Sequence, residues 1–343
     1  MSREAHLVGQ RPGRSARRLA AAAGPQLFAL AAVLLVNWLV FPEFFAIRIQ
    51  DGRLFGSLVD VLNRGAPVAI LSLGMTLVIA TRGIDLSVGA VMAICGAVAA
   101  TLANDGHGFP VVVGAALAAG VLCGLWNGAL VAILGIQPIV ATLVLMVAGR
   151  GIAQLVTEGR IVTFVDPALA AVAGGSLAFL PMPVVIALAM AGLTLLVVRA
   201  TALGLMLESV GANALASTYA GVDARSVAIA AYGWSGLCAA IAGIVVAADI
   251  RGADANNAGL WLELDAILAV VIGGTSLFGG RFSIALSLVG ALIIQAMNTG
   301  ILVSGFTPEF NLIVKAVVVL AVLFLQVPAI RGALAAALSR RSR

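Results

Sequence analysis

The sequence predicts an all-α polytopic membrane protein of about ten transmembrane helices, some of them short or broken. Three observations lead there. Of 343 residues, 62% are hydrophobic and 10% charged, against roughly 45–50% and about 25% in soluble domains. Mean hydropathy is +1.13. The apolar residues also gather into runs close to the ~20 residues needed to cross a bilayer core of roughly 30 Å. A soluble enzyme, a disordered chain and a collagen-like chain are excluded by the same numbers.

The elements follow in order. The basic opening MSREAHLVGQRPGRSARR runs into apolar residues that end on bulky FPEFF. A cleaved leader would end on small residues, so this run is expected to be a retained first span. Spans are expected at about 25–42, 66–81, 88–103, 111–134, 138–157, 180–198, 226–248, 264–279, 283–304 and 311–327. The second, third and eighth are short, with glycine at their ends. Residues 43–65 read as an outer amphipathic segment, with Phe55, Leu58, Val59 and Leu62 at helical spacing. A basic tail (1–24), a membrane domain (25–330) and a second basic tail (331–343) divide the chain. Segments 66–100 and 264–298 share a pattern of short span, Gly-rich turn and Gly/Ala-rich span, which hints at an internal repeat.

Charge sets the expected orientation. The net charge is +5, yet the basic residues sit at chain ends and in loops, which points to topology rather than nucleic acid. Arg3, Arg11, Arg14, Arg17 and Arg18 share a side with Arg82, Arg199, Arg225, Arg281 and the C-terminal Arg331, Arg340, Arg341 and Arg343. They outnumber Arg48, Arg53, Arg64, Arg160 and Arg251 opposite. An even span count with both termini in the cytoplasm satisfies this bias.

Metal and nucleotide chemistry find no support. Cys95, Cys123 and Cys238 lie in apolar runs without ligand spacing, and His6 and His107 stand alone. The chain has one lysine, Lys315, and it follows Val314, so no G-x-x-x-x-G-K-[ST] loop exists.

Four segments are candidates for chemistry. In TRGIDLSVG (81–89), glycines permit tight backbone and Asp85 or Ser87 is placed to cap the next helix. A plain turn and a broken helix beside a transport path both fit. In GGTSLFGGRF (273–282), close packing or a re-entrant turn explains the glycines. The long loop RATALGLMLESVGANALASTYAGVDAR (199–225) is too apolar for a solvated linker. Leu203, Leu205, Met206, Leu207, Val210 and Leu215 need a partner surface, and Gly211 is expected to split two short helices. In AADIRGADANNAGLWLELDAI (247–267), Asp249, Arg251, Asp254, Asn256, Asn257 and Trp261 suit a polyhydroxyl ligand, with hydroxyl-pairing groups beside a stacking ring. Capping residues of an ordinary outer loop are the plainer reading.

Four polar groups lie within the spans, Asn127, Arg150, Gln295 and Lys315; Asn127 sits between Gly124 and Gly128, a small-xxx-small pair suited to helix packing. Arg150 and Lys315 are expected to snorkel from span ends. An ion-coupled carrier working alone would need carboxylates at mid-membrane. Asp85, Glu263, Asp265 and Glu309 all read as lying at span ends, which counts against that alternative.

RGIDLSVG, LGLMLESVGANALASTYAGVD and ELDAILAVVIGGTSLFGGRF together resemble the permease subunits of sugar-importing ABC transporters, the ribose, arabinose and xylose branch. The resemblance runs from about 60 to 325. QDGRLFGSLVDVLNRGAPVAI, MTLVIATRGIDLSVGAVMAI and VVAADIRGADANNAGLWLELDAILAVVIGG are similar to the galactofuranose type within it. One departure is Arg82, where the family has the first of two glycines. The resemblance implies a non-catalytic inner-membrane permease importing a monosaccharide, galactofuranose for this type. It implies three partners: a cytoplasmic ATPase subunit that binds the ATP, a second and non-identical permease, and a periplasmic sugar-binding protein. No cofactor and no metal belong to the chain itself. The loop around Glu208, Gly211, Asn213 and Ala216 matches the ATPase-coupling loop. Asp85, Asn127, Asp249, Arg251, Asp254, Asn256, Asn257 and Trp261 are then expected along the substrate path or its outer gate.

Overall fold

The computed structural model describes residues 13–50, 53–305, 310, 312–317 and 320. Its helices are α1 (Gly13–Val40), α2 (Ser57–Ala80), α3 (Val88–Asn104), α4 (Phe109–Ala132), α5 (Pro138–Val156), α6 (Pro167–Gly174), α7 (Met182–Ala200), α8 (Leu203–Ala212), α9 (Ala214–Tyr219), α10 (Ala224–Ile250), α11 (Leu262–Ile272) and α12 (Ile284–Val303). Three antiparallel strand pairs decorate the connections: β1 (Arg48–Gln50) with β2 (Arg53–Phe55), β3 (Val162–Thr163) with β6 (Gly252–Ala253), and β4 (Ser176–Leu177) with β5 (Leu180–Pro181). Among the described helices, α2, α4, α5, α7, α10 and α12 are long and apolar enough to cross a membrane.

Local chemistry accounts for the boundaries. Proline stands at the first or second position of α4, α5, α6 and α7, where the missing N–H costs no helical bond. Asp166, Asn213, Asp223 and Ser283 accept backbone N–H groups as side-chain caps of α6, α9, α10 and α12. α10 forms the axis of the bundle, packed on α2, α3 and α4, while α12 packs on α1, α2 and α11. The α4–α10 contact is a glycine seam. A Cβ at Gly120, Gly124 or Gly128 would collide with α10 at Gly236, Tyr232 or Ile229, so the backbones approach as closely as small-xxx-small spacing allows.

The expected spans map onto helices, with differences. α1 begins at Gly13 rather than 25, so part of the expected tail is helical. Residues 57–65 of the expected outer segment are the first turns of α2. α11 has 11 residues and stops at Ile272 rather than 279. At 1.5 Å per residue it spans about 16 Å, half a bilayer core. The 158–179 connection carries β3, α6 and β4. Of the tenth expected span, residues 312–317 and 320 are helical and the rest lies outside the described residues, as do residues 1–12 and 331–343 and Glu309.

Depth can be read from contacts along α10. Ser235 Oγ donates to Asp85 at 2.8 Å, and Gly243 lies against Met92. Gly89 falls between them, level with the middle of α10. Gly89 in turn abuts Gly259 and Glu263 with no room for a Cβ. The 254–261 segment therefore dips from one end of the bundle to its middle, where α11 starts. α11 then runs to the end where α2 finishes, and Gly280 N donates to Ala80 O at 3.0 Å. The 81–87 and 273–283 turns of the two similar helix–turn–helix units thus touch, although their first helices differ in length, 24 against 11 residues.

Candidate functional site

At the end where α2 finishes, three segments converge on the 81–87 turn. Asp85 is buried at 2% exposure. Its Oδ1 accepts from Ser87 N (3.1 Å) and Ser87 Oγ (2.6 Å), and its Oδ2 accepts from Ser235 Oγ on α10. Asn127 Nδ2 on α4 donates to Ser87 Oγ at 2.8 Å. The expected capping is corrected here: Ser87 holds the N-cap position of α3 without a side-chain cap bond, and Asp85 ties the turn to α10 instead. Asn127 joins the same network and also lies against the glycine seam.

Arg82 has a φ of 66°, the left-handed region that glycine occupies freely. Its guanidinium turns towards the C-terminus of α8: Nε donates to Gly211 O at 2.6 Å and Nη2 to Ala212 O at 2.5 Å. Free carbonyls at a helix end attract a cation. Its charge is therefore directed at α8 rather than at the neighbouring Asp85.

In the 199–225 loop, α8 and α9 meet at Asn213, whose Oδ1 accepts from Ala216 N. The expected break at Gly211 is corrected: Gly211 is inside α8, pressed on Ala80 O and Gly280 N, where a Cβ does not fit. Leu207 and Val210 are buried against Leu77, Val78, Ala80 and Tyr232, and Leu203 and Met206 pack at their edge. Their partner is thus the chain itself. Leu205 (75% exposed), Leu215 (66%), Tyr219 (83%) and Phe278 (86%) remain outward. Glu208 is half-buried, and among the described residues it has no ion pair.

The opposite end holds the 247–267 stretch, which divides in three. Asp254 accepts from Asn256 N, Asn257 N and Asn257 Nδ2 (2.7 Å), closing a turn on itself. Asn256 Oδ1 accepts from Gln154 Nε2 on α5 at 2.6 Å. Arg150 donates to Ala258 O and Ala255 O, holding the dipping segment to α5. Arg251 and Trp261 are exposed at left-handed backbone positions, at the start and end of the dip. Asp249 faces a separate cavity with Asn63, Arg64 and Gln295. Asp85 and Asn127 are therefore grouped together at one end, and Asp249, Arg251, Asp254, Asn256, Asn257 and Trp261 lie towards the other.

Two expectations about charge are corrected. Lys315 does not snorkel: its Nζ donates to both carboxylate oxygens of Asp265 at 2.7 and 2.8 Å, with side-chain exposures of 12% and 7%. Arg150 is anchored on backbone carbonyls. Asp265 and the buried Glu263 sit in the first turn of a half-length helix, so acidic groups do lie at mid-depth. Sequence reading missed this because a helix starting inside the bundle carries the same polar opening as one starting outside it.

These features define a class. The glycine-seamed bundle, the half-helix entered by a dipping segment and the converging turns belong to a multi-pass membrane permease. The chain belongs to the family described as branched-chain amino acid transport system / permease component, which matches residues 57–323. Among its relatives is the galactofuranose transporter permease protein YtfT of Escherichia coli K12, 66% identical over 302 residues, covering 88% of this chain and 89% of that protein. The fructose import permease protein FruF of Bifidobacterium longum is 42% identical over 292 residues, covering 82% and 81%. The ribose import permease protein RbsC of E. coli K12 is 37% identical over 298 residues, covering 86% and 90%. No solved structure matches the chain.

Proposed function

We propose that this chain is the membrane-spanning subunit of an ABC importer that carries galactofuranose across the bacterial inner membrane. The observation that carries this reading is the 66% identity to a galactofuranose permease over nearly the full length of both chains. The family description speaks of branched-chain amino acids, but the fructose and ribose permeases among the relatives favour a sugar.

The bias of arginines assigns both termini, the 81–87 turn and the α8–α9 loop to the cytoplasm. Leu205, Leu215 and Tyr219 then offer an apolar face to a separate ATPase subunit, which binds the ATP; the permease catalyses nothing. A push on α8 is passed through Gly211 and Arg82 to the Asp85 turn, and from Ser87 and Asp85 to α4 and α10. The 254–261 segment and Trp261 lie on the outer half, where a periplasmic binding protein delivers the sugar. A second, non-identical permease completes the path. Alternating access follows when the two permeases rock against one another. The alternative of an ion-coupled carrier working alone is disfavoured by the match to import permeases over nearly the whole chain.

The test is a mild-detergent pull-down of the tagged chain from its native membrane, with partners identified by mass spectrometry and labelled galactofuranose uptake followed in the same cells. An ATPase, a different permease and a sugar-binding protein are the expected companions. A chain recovered alone, with uptake that survives ATP depletion, refutes the reading.

A further inference from the structure

We propose that the cavity between α2, α7, α10, α11 and α12 is a binding site for one monosaccharide within the permease subunit itself. The proposal rests on the sugar-importer reading and adds a place where the sugar pauses. The cavity measures about 170 Å³, an order of magnitude above the ~10–15 Å³ that admits one water.

Its walls divide by chemistry. Pro67, Val68, Pro183 and Leu262 give an apolar floor, and Asn63, Arg64, Asp249 and Gln295 give polar rims. The polar groups are under-used. Asn63 Oδ1 is buried without a hydrogen-bond partner. Gln295 is 7% exposed and makes one long bond, Nε2 to Thr299 Oγ1 at 3.4 Å. Arg64 and Asp249 stand at the solvent-exposed rim of the same space and form no ion pair with each other or with any other described residue. A buried carbonyl left unpaired costs about 1–3 kcal/mol. A polyol satisfies all four groups at once, since each hydroxyl both donates and accepts. Asn63 Oδ1 and Asp249 take donors, while Arg64 and the Gln295 amide serve ring or hydroxyl oxygens. The C–H face of the sugar ring suits the proline and leucine floor. An apolar solute would leave the buried Asn63 carbonyl oxygen unmet.

The experiment uses cells expressing the complete transporter. Val246, another wall residue, is replaced as Val246→Cys and labelled from outside with a membrane-impermeant maleimide. The unsubstituted chain supplies the background from Cys123. D-galactose, which includes its furanose form in water, is the probe, and sucrose the oversized control. Labelling is expected to slow about tenfold at a galactose concentration ten times its dissociation constant, with no effect of sucrose. Adding Asn63→Leu is expected to raise the protecting concentration three- to tenfold. If Val246→Cys fails to reach the membrane, Leu262→Cys reports on the same space.

Labelled galactofuranose uptake in the same cells separates the two readings. Uptake without protection overturns the site and leaves the importer standing. Protection without uptake upholds the site and overturns the importer. Loss of both overturns both, and failure of the reagent to reach either cysteine overturns the site.

Discussion

Replacing Arg82 by glycine sets two effects of known sign against each other. Arg82 sits at φ 66°, a conformation that costs an L-residue about 1–2 kcal/mol, and glycine relieves it. Against that, the substitution removes two charge-assisted bonds to Gly211 O and Ala212 O, at 2.6 and 2.5 Å. Such bonds contribute about 1.5–3 kcal/mol each, and the outer one is exposed to water, so the low end applies and the pair gives about 3 kcal/mol. Glycine also adds about 0.5–1 kcal/mol of chain entropy to be lost on folding. The net loss is about 2 kcal/mol, concentrated on α8. Local opening of a helix scales with that free energy, so α8 amides should exchange with deuterium roughly thirtyfold faster. Mass spectrometry of the peptide covering 203–213, in nanodiscs, measures this, with α4 as an internal standard that should not change. Arg82→Lys keeps one bond and should fall between. Unchanged or slower exchange in Arg82→Gly would refute the reasoning, because strain would then outweigh the clamp.

Other expectations follow from the same contacts. Gly211→Val drives two methyls into Ala80 O and Gly280 N and should abolish uptake while membrane insertion, read by immunoblot of the membrane fraction, stays intact. Lys315→Met leaves the Asp265 carboxylate buried and unpaired and should cost about 3–5 kcal/mol in detergent unfolding; the double change with Asp265→Asn should recover most of it. Glu208→Arg should stop transport without reducing the amount of permease in the membrane, and normal uptake would remove Glu208 from the coupling surface. At the start of α10, the hydroxyl of Ser226 and the N–H of Arg225 hold the exposed Asp223 carboxyl below its ordinary range. A lowered folded value means that the cap's stabilisation is full above the ordinary carboxylate value and is lost as pH falls from there through the lowered folded value. Helix-start exchange should therefore quicken in acid, and Ser226→Ala should move that onset to higher pH.

Much of the architecture was legible because hydropathy and helix length answer to the same bilayer thickness. The span ends expected at 138, 157 and 103 fall within one residue of the helix ends Pro138, Val156 and Asn104, read from proline, glycine and polar residues alone. The converging turns were visible as glycine-rich motifs, and Arg82 stood out as a side chain where a glycine was expected. Its φ explains that pattern. What was not legible depends on pairing across long sequence distances. Nothing near Lys315 announces Asp265, fifty residues earlier, and nothing in ADANNAGLW distinguishes a loop in water from one that dips into the bundle. The 199–225 loop was half legible: Leu205 and Leu215 do face outward, but Leu207 and Val210 pack on α2, because alternate sides of a short helix serve different neighbours. Asn63 and Gln295 carried no motif, and only the folding of α2 against α10 and α12 brings them to one cavity.

The glycine seam between α4 and α10 has a mechanical consequence. Interlocked side chains let helices slide and re-seat in new rotamers, whereas bare backbones in contact have no gears to shift. Gly120, Gly124 and Gly128 against Gly236, Tyr232 and Ile229 therefore weld the two helices into a single strut. Distance between spin labels on α4 and α10 should stay constant through the nucleotide cycle. Flexure then belongs to the slender parts around the strut, such as the glycine-hinged 273–283 turn and the half-length α11, and each stroke of the machine is delivered whole to the far side of the membrane.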